Sequence, residues 1–501
     1  MAAAVETPRE RRRLVLAVSL LAAAYVATRL ALTWRFPLYV DETTFASFAR
    51  DVHGSLGQFF AAEADKKGLL PSWLGAGLIT AGIDPVTAMR LLSAAGAALA
   101  AACGGLIVRR LYGLREGLLT AALIALGPYF LVNASVGIYD AMVTGLVAAA
   151  VLIAIRLAQQ PRILTAVGLG AVLGAGGLTK PTTAVAVVVL PFTLLLFDHA
   201  SPERRRRLLT WAGHAALALA LGYAITSIAR LTPLYDKPML PRENHRTIGQ
   251  IFDDLWPSVR SNGPLQWSAL FGYLTTPGIA LALIGVISGL RRHRAATAIL
   301  LVWALSVIAS ALLLALWPYP RYLAAAMVPL SAFVALGAVA VWNGLSGPSL
   351  PYRRARIALA VTLLLISVAP ALRYEGQVLA DPVHTVYPGA DLEGYVWATS
   401  AQTWVEPFAR EIVRRGGPYP VRIDVVRGYT WGLDLRLNGA AVGSSRRYQV
   451  VKDGGPAERA GARYLVSDGA RTDAPPRPGY RLIERRARRL GGAVTRLYVR
   501  E

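Results

Sequence analysis

Long apolar runs alternate with short polar segments along most of the chain. Eleven runs could each cross a bilayer as a helix, at about 14–33, 87–108, 117–136, 141–158, 163–179, 182–197, 208–229, 269–290, 295–316, 322–342 and 356–372. A helix rises about 1.5 Å per residue, so about 20 apolar residues traverse the hydrocarbon core. Lipid offers the backbone no hydrogen bonds, which leaves the helix as the form for such runs. Arginines cluster in alternate connections: Arg9 to Arg13, Arg109/Arg110/Arg115, Arg156/Arg162, Arg204 to Arg207, Arg291/Arg292/Arg294 and Arg353/Arg354/Arg356. Basic connections mark the cytoplasmic side. An odd number of spans closes the alternation, with the N-terminus cytoplasmic and everything after about 373 outside. The outer side then holds the loop 34–86, the Tyr139-Asp140 turn, Lys180-Pro181, the loop 230–268 and the Pro320-Arg321-Tyr322 turn. Trp34, Trp73, Trp317 and Tyr319 fall near that boundary, where amphipathic rings settle.

The loop 34–86 is patterned. Phe45, Phe48 and Val52 recur at helical spacing, and Leu70, Trp73, Leu74 and Leu78 do so after Pro71. Two amphipathic helices lying in the interface are expected there, joined by Lys66-Lys67-Gly68. The loop 230–268 is polar and is expected to be half-ordered over the outer face. After about 373 hydropathy falls and short β-prone runs replace the long ones: 421–426, 448–451, 464–466 and 494–499. A helix is expected over Gln402 to Arg415, ending at Gly416-Gly417. The chain thus divides into a polytopic α-helical membrane domain, 1–372, and a small extracytoplasmic α/β domain, 373–501.

Composition sharpens this picture. A chain of 501 residues that is 54% hydrophobic, only 17% charged and of mean hydropathy +0.44 is a membrane protein. The net charge of +23 would suit nucleic acid, but the arginines fall where topology needs them, so no nucleic-acid partner is expected. Cys103 is the only cysteine and lies inside an apolar run, so it forms no intramolecular disulfide or cysteine metal site. The basic start followed by an apolar run also fits a signal peptide, but 14–33 is long for that and is read as a retained helix. The richness in Ala, Arg and Gly suits a bacterium, and hence its inner (plasma) membrane.

Asp41, Glu42, Lys66, Lys67, Asp140, Lys180, Arg230 and Arg321 all sit at outer helix ends or in short turns. Charges near lipid are costly and need a reason. Glycosyl transfer from a lipid phosphate would supply one. Its leaving group needs cations more than a strong acid, and the acceptor hydroxyl needs one carboxylate base. With one base and no nucleophile, the anomeric centre inverts.

These residues resemble the GT-C superfamily of polyprenyl-phosphate-sugar-dependent glycosyltransferases, in particular bacterial relatives of protein O-mannosyltransferases and lipid A aminoarabinose transferases. The resemblance covers about 14–342 and rests on Tyr39-Val40-Asp41-Glu42, Lys66-Lys67-Gly68-Leu69-Leu70-Pro71-Ser72-Trp73, Tyr139-Asp140-Ala141, Gly177-Leu178-Thr179-Lys180-Pro181 and Pro320-Arg321-Tyr322. One of the family's usual prolines is missing after Lys67. The resemblance implies Asp41 and Glu42 as the catalytic carboxylates, Asp41 as base or acceptor-orienting group and Glu42 in a secondary or a structural role. It implies Lys66, Lys67, Lys180, Arg321 and Tyr322 at the lipid phosphate or its sugar, and Asp140 at the sugar. Its donor would be a polyprenyl-phosphate-linked sugar and its acceptor an extracytoplasmic glycan, lipid or protein, amid membrane lipids. A divalent metal is left open.

Plainer roles stand beside these. Asp41 can be the N-cap of a helix starting at Glu42. Lys66 and Lys67 can anchor anionic lipids. Asp140 can complement a helix dipole. His53, His245 and His384 are isolated, and an isolated histidine is more often solvated than a ligand. A transporter or flippase of lipid-linked sugars is the alternative activity, yet the two similar halves expected of a transporter are not apparent.

Overall fold

The structure is a computed structural model. It describes residues 8–197, 203–235, 253–316, 319–346, 352–389, 391, 402–417, 420–427, 430–441, 445–452, 461–470, 477–487 and 494–501. Trp317, His245 and the middle of the loop 230–268 lie outside the described residues.

All eleven predicted runs fall on helical segments. In order these are α1 (Pro8–Thr33), then, after the first loop, α4 (Pro85–Leu111), α5 (Leu114–Leu126) with α6 (Pro128–Asn133), α7 (Tyr139–Gln159), and α8 (Ile163–Thr179). There follow a 3-10/α segment over Pro181–Leu196 whose central turn is α9 (Val185–Val189), and α10 (Arg204–Thr226). The bundle ends with α11 (Leu255–Leu274), α12 (Thr276–Arg292), α13 (Arg294–Leu313), α14 (Ala324–Ser346) and α15 (Arg353–Ala380). Among the described residues seven helices are long and apolar enough to cross a membrane, or eight if the bent pair α11–α12 is one span. α15 continues past 372 to Ala380 before the chain leaves the bundle.

Two runs are broken, each for a local reason. The run 117–136 divides at Gly127-Pro128, because proline has no N–H to continue a helix and disfavours helical backbone before it. The run 269–290 divides at Thr275, where α11 and α12 meet at 92°. Thr275 has a φ of 64°, and its hydroxyl accepts the Gly278 N–H to cap α12. The expected half-ordered loop is therefore corrected over 255–268. That stretch is the first part of α11, with Trp256 and Trp267 exposed and Ser258, Asn262 and Gln266 turned inward.

The bundle packs closely through small residues. A Cβ on Gly285 of α12 would lie 1.9 Å from the carbonyl oxygen of Phe333, and one on Gly337 of α14 would lie 1.9 Å from that of Leu281. In lipid, helices associate through such close approach rather than through hydrophobic burial. Gly337→Val is expected to destabilise the bundle by about 1–3 kcal/mol, the usual cost of overpacking, read as a lower thermal midpoint in detergent.

Both expected helices of the first loop are present, as α2 (Val40–Gly54) and α3 (Leu69–Thr80). α2 is largely buried, packed against α3, α4 and the C-terminal domain. That domain contains α16 (Val405–Arg415), which ends at Gly416 with a φ of 63°, and α17 (Trp431–Asn438). Its five strands are β1 (Val421–Arg427), β2 (Tyr448–Lys452), β3 (Tyr464–Ala470), β4 (Tyr480–Ala487) and β5 (Val494–Arg500), in the order β2-β1-β3-β5-β4. β1 pairs in parallel with β2 and β3, while β5 runs antiparallel to β3 and β4. β4 escapes the apolar pattern because it is an edge strand carrying Arg481, Glu484, Arg485 and Arg486. Charge on an edge discourages pairing with other chains.

Candidate active site

The turns predicted to share the outer face do meet at one end of the bundle. Asp41 lies in the first turn of α2, and its Oδ2 is 2.8 Å from Nη2 of Arg321, from the Pro320-Arg321-Tyr322 turn. Nη1 of Arg321 donates to the Tyr39 hydroxyl at 2.8 Å. The guanidinium also lies 4.5 Å from the Tyr319 ring centroid, a cation–π distance. Asp41 keeps 28% of its side chain exposed, and its other oxygen has no hydrogen bond or ion pair among the described residues. The N-cap of α2 is Tyr39 rather than Asp41, so capping does not explain Asp41.

Glu42 has a different position. It is 0% exposed and accepts from Arg90 Nε at 2.6 Å, Arg90 Nη2 at 2.8 Å and the Gly137 N–H at 2.7 Å. It also accepts the Tyr39 N–H at 3.4 Å, which ties the start of α2 back to its N-cap. Arg90 in turn donates to the carbonyls of Thr33, Phe36 and Pro37. This buried pair fixes the exit of α1, the start of α2 and the turn before α7. It has no free lone pair directed at a substrate.

Asp140 opens α7 and pairs with Lys180 Nζ at 2.7 Å. The Lys180 ammonium sits 4.8 Å from the Tyr322 ring centroid. Gly68 brings the Lys66-Lys67 turn against this pair, since a Cβ there would lie 2.0 Å from the Thr179 carbonyl oxygen. Lys67 lies 5.8 Å over the Phe45 ring, and Phe45 stacks on Tyr139 at 3.8 Å, next to Asp140. No anionic partner for Lys67 occurs among the described residues. Lys66 turns away, in the left-handed conformation, to bond Glu63 at 3.1 Å and the Leu234 carbonyl at 2.8 Å. Lys180 and Arg321 thus each pair with one carboxylate, Asp140 and Asp41, and Lys67 adds a cation in the adjoining turn.

Behind these charges lies a small cleft that opens to solvent. Asp140, Lys180, Arg321 and Tyr322 form its polar end, and Val143, Val185, Val307 and Ala311 part of its apolar depth. Such a shape suits an anionic head group with a hydrocarbon chain. Among the described residues no three His, Cys, Asp or Glu side chains converge. His53 bonds the Thr80 hydroxyl and His384 pairs with Asp381. The donors present do not fit a metal centre, and both site carboxylates are already engaged by cations.

Sequence reading missed Arg90, Tyr39 and Asp391. Arg90 had a signal: a lone arginine inside the run 87–108 must find a partner. Tyr39 was quoted in a motif but given no role. Burial holds its hydroxyl well above the ordinary range, with Arg321 pulling the other way, so it stays neutral. Asp391 carries no sequence signal, because its position arises from the docking of the segment after α15. It is buried, receives the Tyr273 hydroxyl and bonds the Asn133 side chain. Burial pushes its carboxyl up to about 7, partly offset by Tyr273 and Arg321 and reinforced by Asp140. An unfolded aspartate titrates near about 3.9. The folded protein therefore holds the extra proton between these values, so this group's contribution is most favourable below about pH 4 and is lost as pH rises through about 7. Asp391→Asn is expected to flatten that part of the stability profile, measured by denaturant unfolding across pH 4 to 8.

A family model described as dolichyl-phosphate-mannose-protein mannosyltransferase matches residues 66–228. Over nearly its whole length the chain also superposes on a solved structure, ArnT from Cupriavidus metallidurans bound to undecaprenyl phosphate. The TM-score is 0.57 at 17% identity, covering 96% of this chain and 97% of that one. The chain has the fold of ArnT. The apo form of the same ArnT gives a TM-score of 0.56 at 16% identity, with the same coverage of both chains. The Archaeoglobus fulgidus oligosaccharyltransferase in complex with Zn and sulfate gives 0.53 at 14% identity, covering 89% of this chain and 67% of that one. No curated protein matches the sequence. The resemblance therefore holds for the fold and, over 66–228, for the family model, and the chain is a multi-pass membrane protein of that architecture.

Proposed function

We propose that the protein is an inverting membrane glycosyltransferase that moves a sugar from a polyprenyl-phosphate carrier to an extracytoplasmic acceptor. The observation that carries this is an apolar cleft whose polar end holds Arg321 and the Asp140–Lys180 pair, with the part-exposed Asp41 paired to Arg321 and Lys67 in the adjoining turn, without an anionic partner among the described residues. In this reading the acceptor oxygen attacks the anomeric carbon from the face opposite the phosphate. The carbon–oxygen bond to phosphate breaks, and the acceptor's proton passes to Asp41. The departing polyprenyl phosphate gains negative charge, which Lys67, Lys180 and Arg321 are placed to balance. Asp140 sets the position of Lys180 and borders the sugar. Tyr322 supports the Lys180 ammonium with its ring. Glu42 acts by position alone, and Lys66 by tying the first loop to the segment around Tyr235.

The bundle end bearing these residues would be the extracytoplasmic one, in a bacterial inner membrane, with the N-terminus cytoplasmic. The fold of ArnT, solved with undecaprenyl phosphate, supports a lipid-phosphate carrier, and the mannosyltransferase family model supports sugar transfer. The test is donor binding. Lys67→Met is expected to weaken polyprenyl-phosphate binding about tenfold, the scale of one charge-assisted hydrogen bond, with the thermal midpoint unchanged. Binding equal to wild type would remove Lys67 from the phosphate site.

A further inference from the structure

α2 has a second working face. Asp41 and Arg50 are nine positions apart in the sequence, about two and a half helical turns, so they lie on opposite sides of α2. Asp41 is turned toward Arg321. Thr43, Ala46 and Arg50 recur at helical spacing on the far side, all buried. The C-terminal domain meets this side at Thr43 and Arg50. Arg50 Nη2 lies 2.7 Å from Asp434 Oδ2 of α17, with the two side chains 3% and 8% exposed. Arg446 stands 3.6 Å from the same oxygen, and Asn438 donates to the other one at 2.8 Å. A Cβ on Gly432 of α17 would touch the Thr43 methyl group at 3.4 Å.

The same domain also grips the chain just before Asp41. The Gln402 N–H donates to the Leu38 carbonyl at 2.8 Å, and the Leu38 side chain packs on the core of the C-terminal domain. Leu435 of α17 joins the core of the bundle in return. The helix carrying Asp41 is therefore held by the domain at Leu38, Thr43 and Arg50.

We infer that the C-terminal domain positions the Asp41 carboxylate against Arg321, with the buried Arg50–Asp434 pair as the fixing contact and Asp434 as a positioning residue. A pair this dry repays its desolvation only through good geometry, and removing one partner strands the other. α2 would then shift against the cleft, and a displacement of about 1 Å at a reacting group can cost about 100-fold in rate. The inference rests on the glycosyltransferase reading for its activity readout, but not for its structural one.

The experiment uses full-length protein in nanodiscs carrying Asp434→Asn, Asp434→Glu or the exchange Arg50→Asp with Asp434→Arg. Hydrogen exchange of the α2 amides and the kcat and KM for a polyprenyl-phosphate sugar are measured in each. Asp434→Asn is expected to lower kcat at least tenfold with donor KM within twofold of wild type, and to raise exchange in α2 while the bundle helices stay protected. The exchanged pair is expected to recover both readouts in large part. Where it does not accumulate, Asp434→Glu is the rescue, keeping the charge. Unchanged α2 exchange in Asp434→Asn overturns the inference, whatever happens to kcat. So does exchange raised equally throughout the bundle, which would mark a general loss of stability. If wild type transfers no sugar, the glycosyltransferase reading fails, while α2 exchange still decides whether the domain holds the helix.

Discussion

Replacing Asp41 by asparagine is expected to lower glycosyl transfer by at least about 100-fold, the scale of a lost general base, in a protein that still folds. Asparagine keeps the shape, and its amide oxygen can still accept from Arg321. It cannot take the acceptor's proton. The carboxylate is 28% exposed, so its pair with Arg321 contributes little to stability, and the thermal midpoint should hold. The loss should fall on kcat. Donor KM should stay level or drop, because Arg321 would no longer share its charge with a carboxylate and would meet the lipid phosphate more freely. Steady-state kinetics with varied donor, beside a thermal melt, checks both halves.

Glu42→Ala is expected to have the opposite signature. It removes one partner of a fully buried pair and leaves Arg90 charged in the protein interior, which costs about 3–5 kcal/mol. The Gly137 N–H would also lose its acceptor. A large drop in thermal midpoint and in the yield of folded protein should follow, and activity would fall only as folded protein is lost. Replacing both Glu42 and Arg90 by apolar residues should not restore stability. Arg90 also satisfies the carbonyls of Thr33, Phe36 and Pro37, and those would be left bare. Recovery in that double variant would show that the charge pair, rather than the carbonyl contacts, dominates the cost.

The adjacent carboxylates thus divide their roles by the side of α2 on which each falls, which a sequence cannot display. The bundle was legible because lipid imposes one rule on every run, and the alternating arginines order the ends. The ends of 117–136 and 269–290 were less legible. Gly127-Pro128 and the Thr275 turn break helices without lowering hydropathy. The charged residues that gather at one end of the bundle were legible because polar groups at helix ends near lipid need a purpose. Their pairing was not. That Lys180 meets Asp140, or that Arg50 meets Asp434 more than 380 positions later, depends on packing between distant elements. β4 and α17 escaped notice because their surfaces are charged or mixed, and α17 is buried partly against α2, an element distant in sequence.

The most direct test of sugar transfer is the fate of the anomeric centre. Purified protein in nanodiscs would be given a panel of labelled polyprenyl-phosphate sugars with an envelope extract, and the product bond analysed by NMR. The expected result is consumption of a donor with release of polyprenyl phosphate and a single inverted glycosidic linkage, all absent in Asp41→Asn. Retained configuration would contradict the one-base mechanism. Donors left intact, while the protein carries a lipid-linked sugar between the leaflets of a proteoliposome, would contradict the enzyme reading itself.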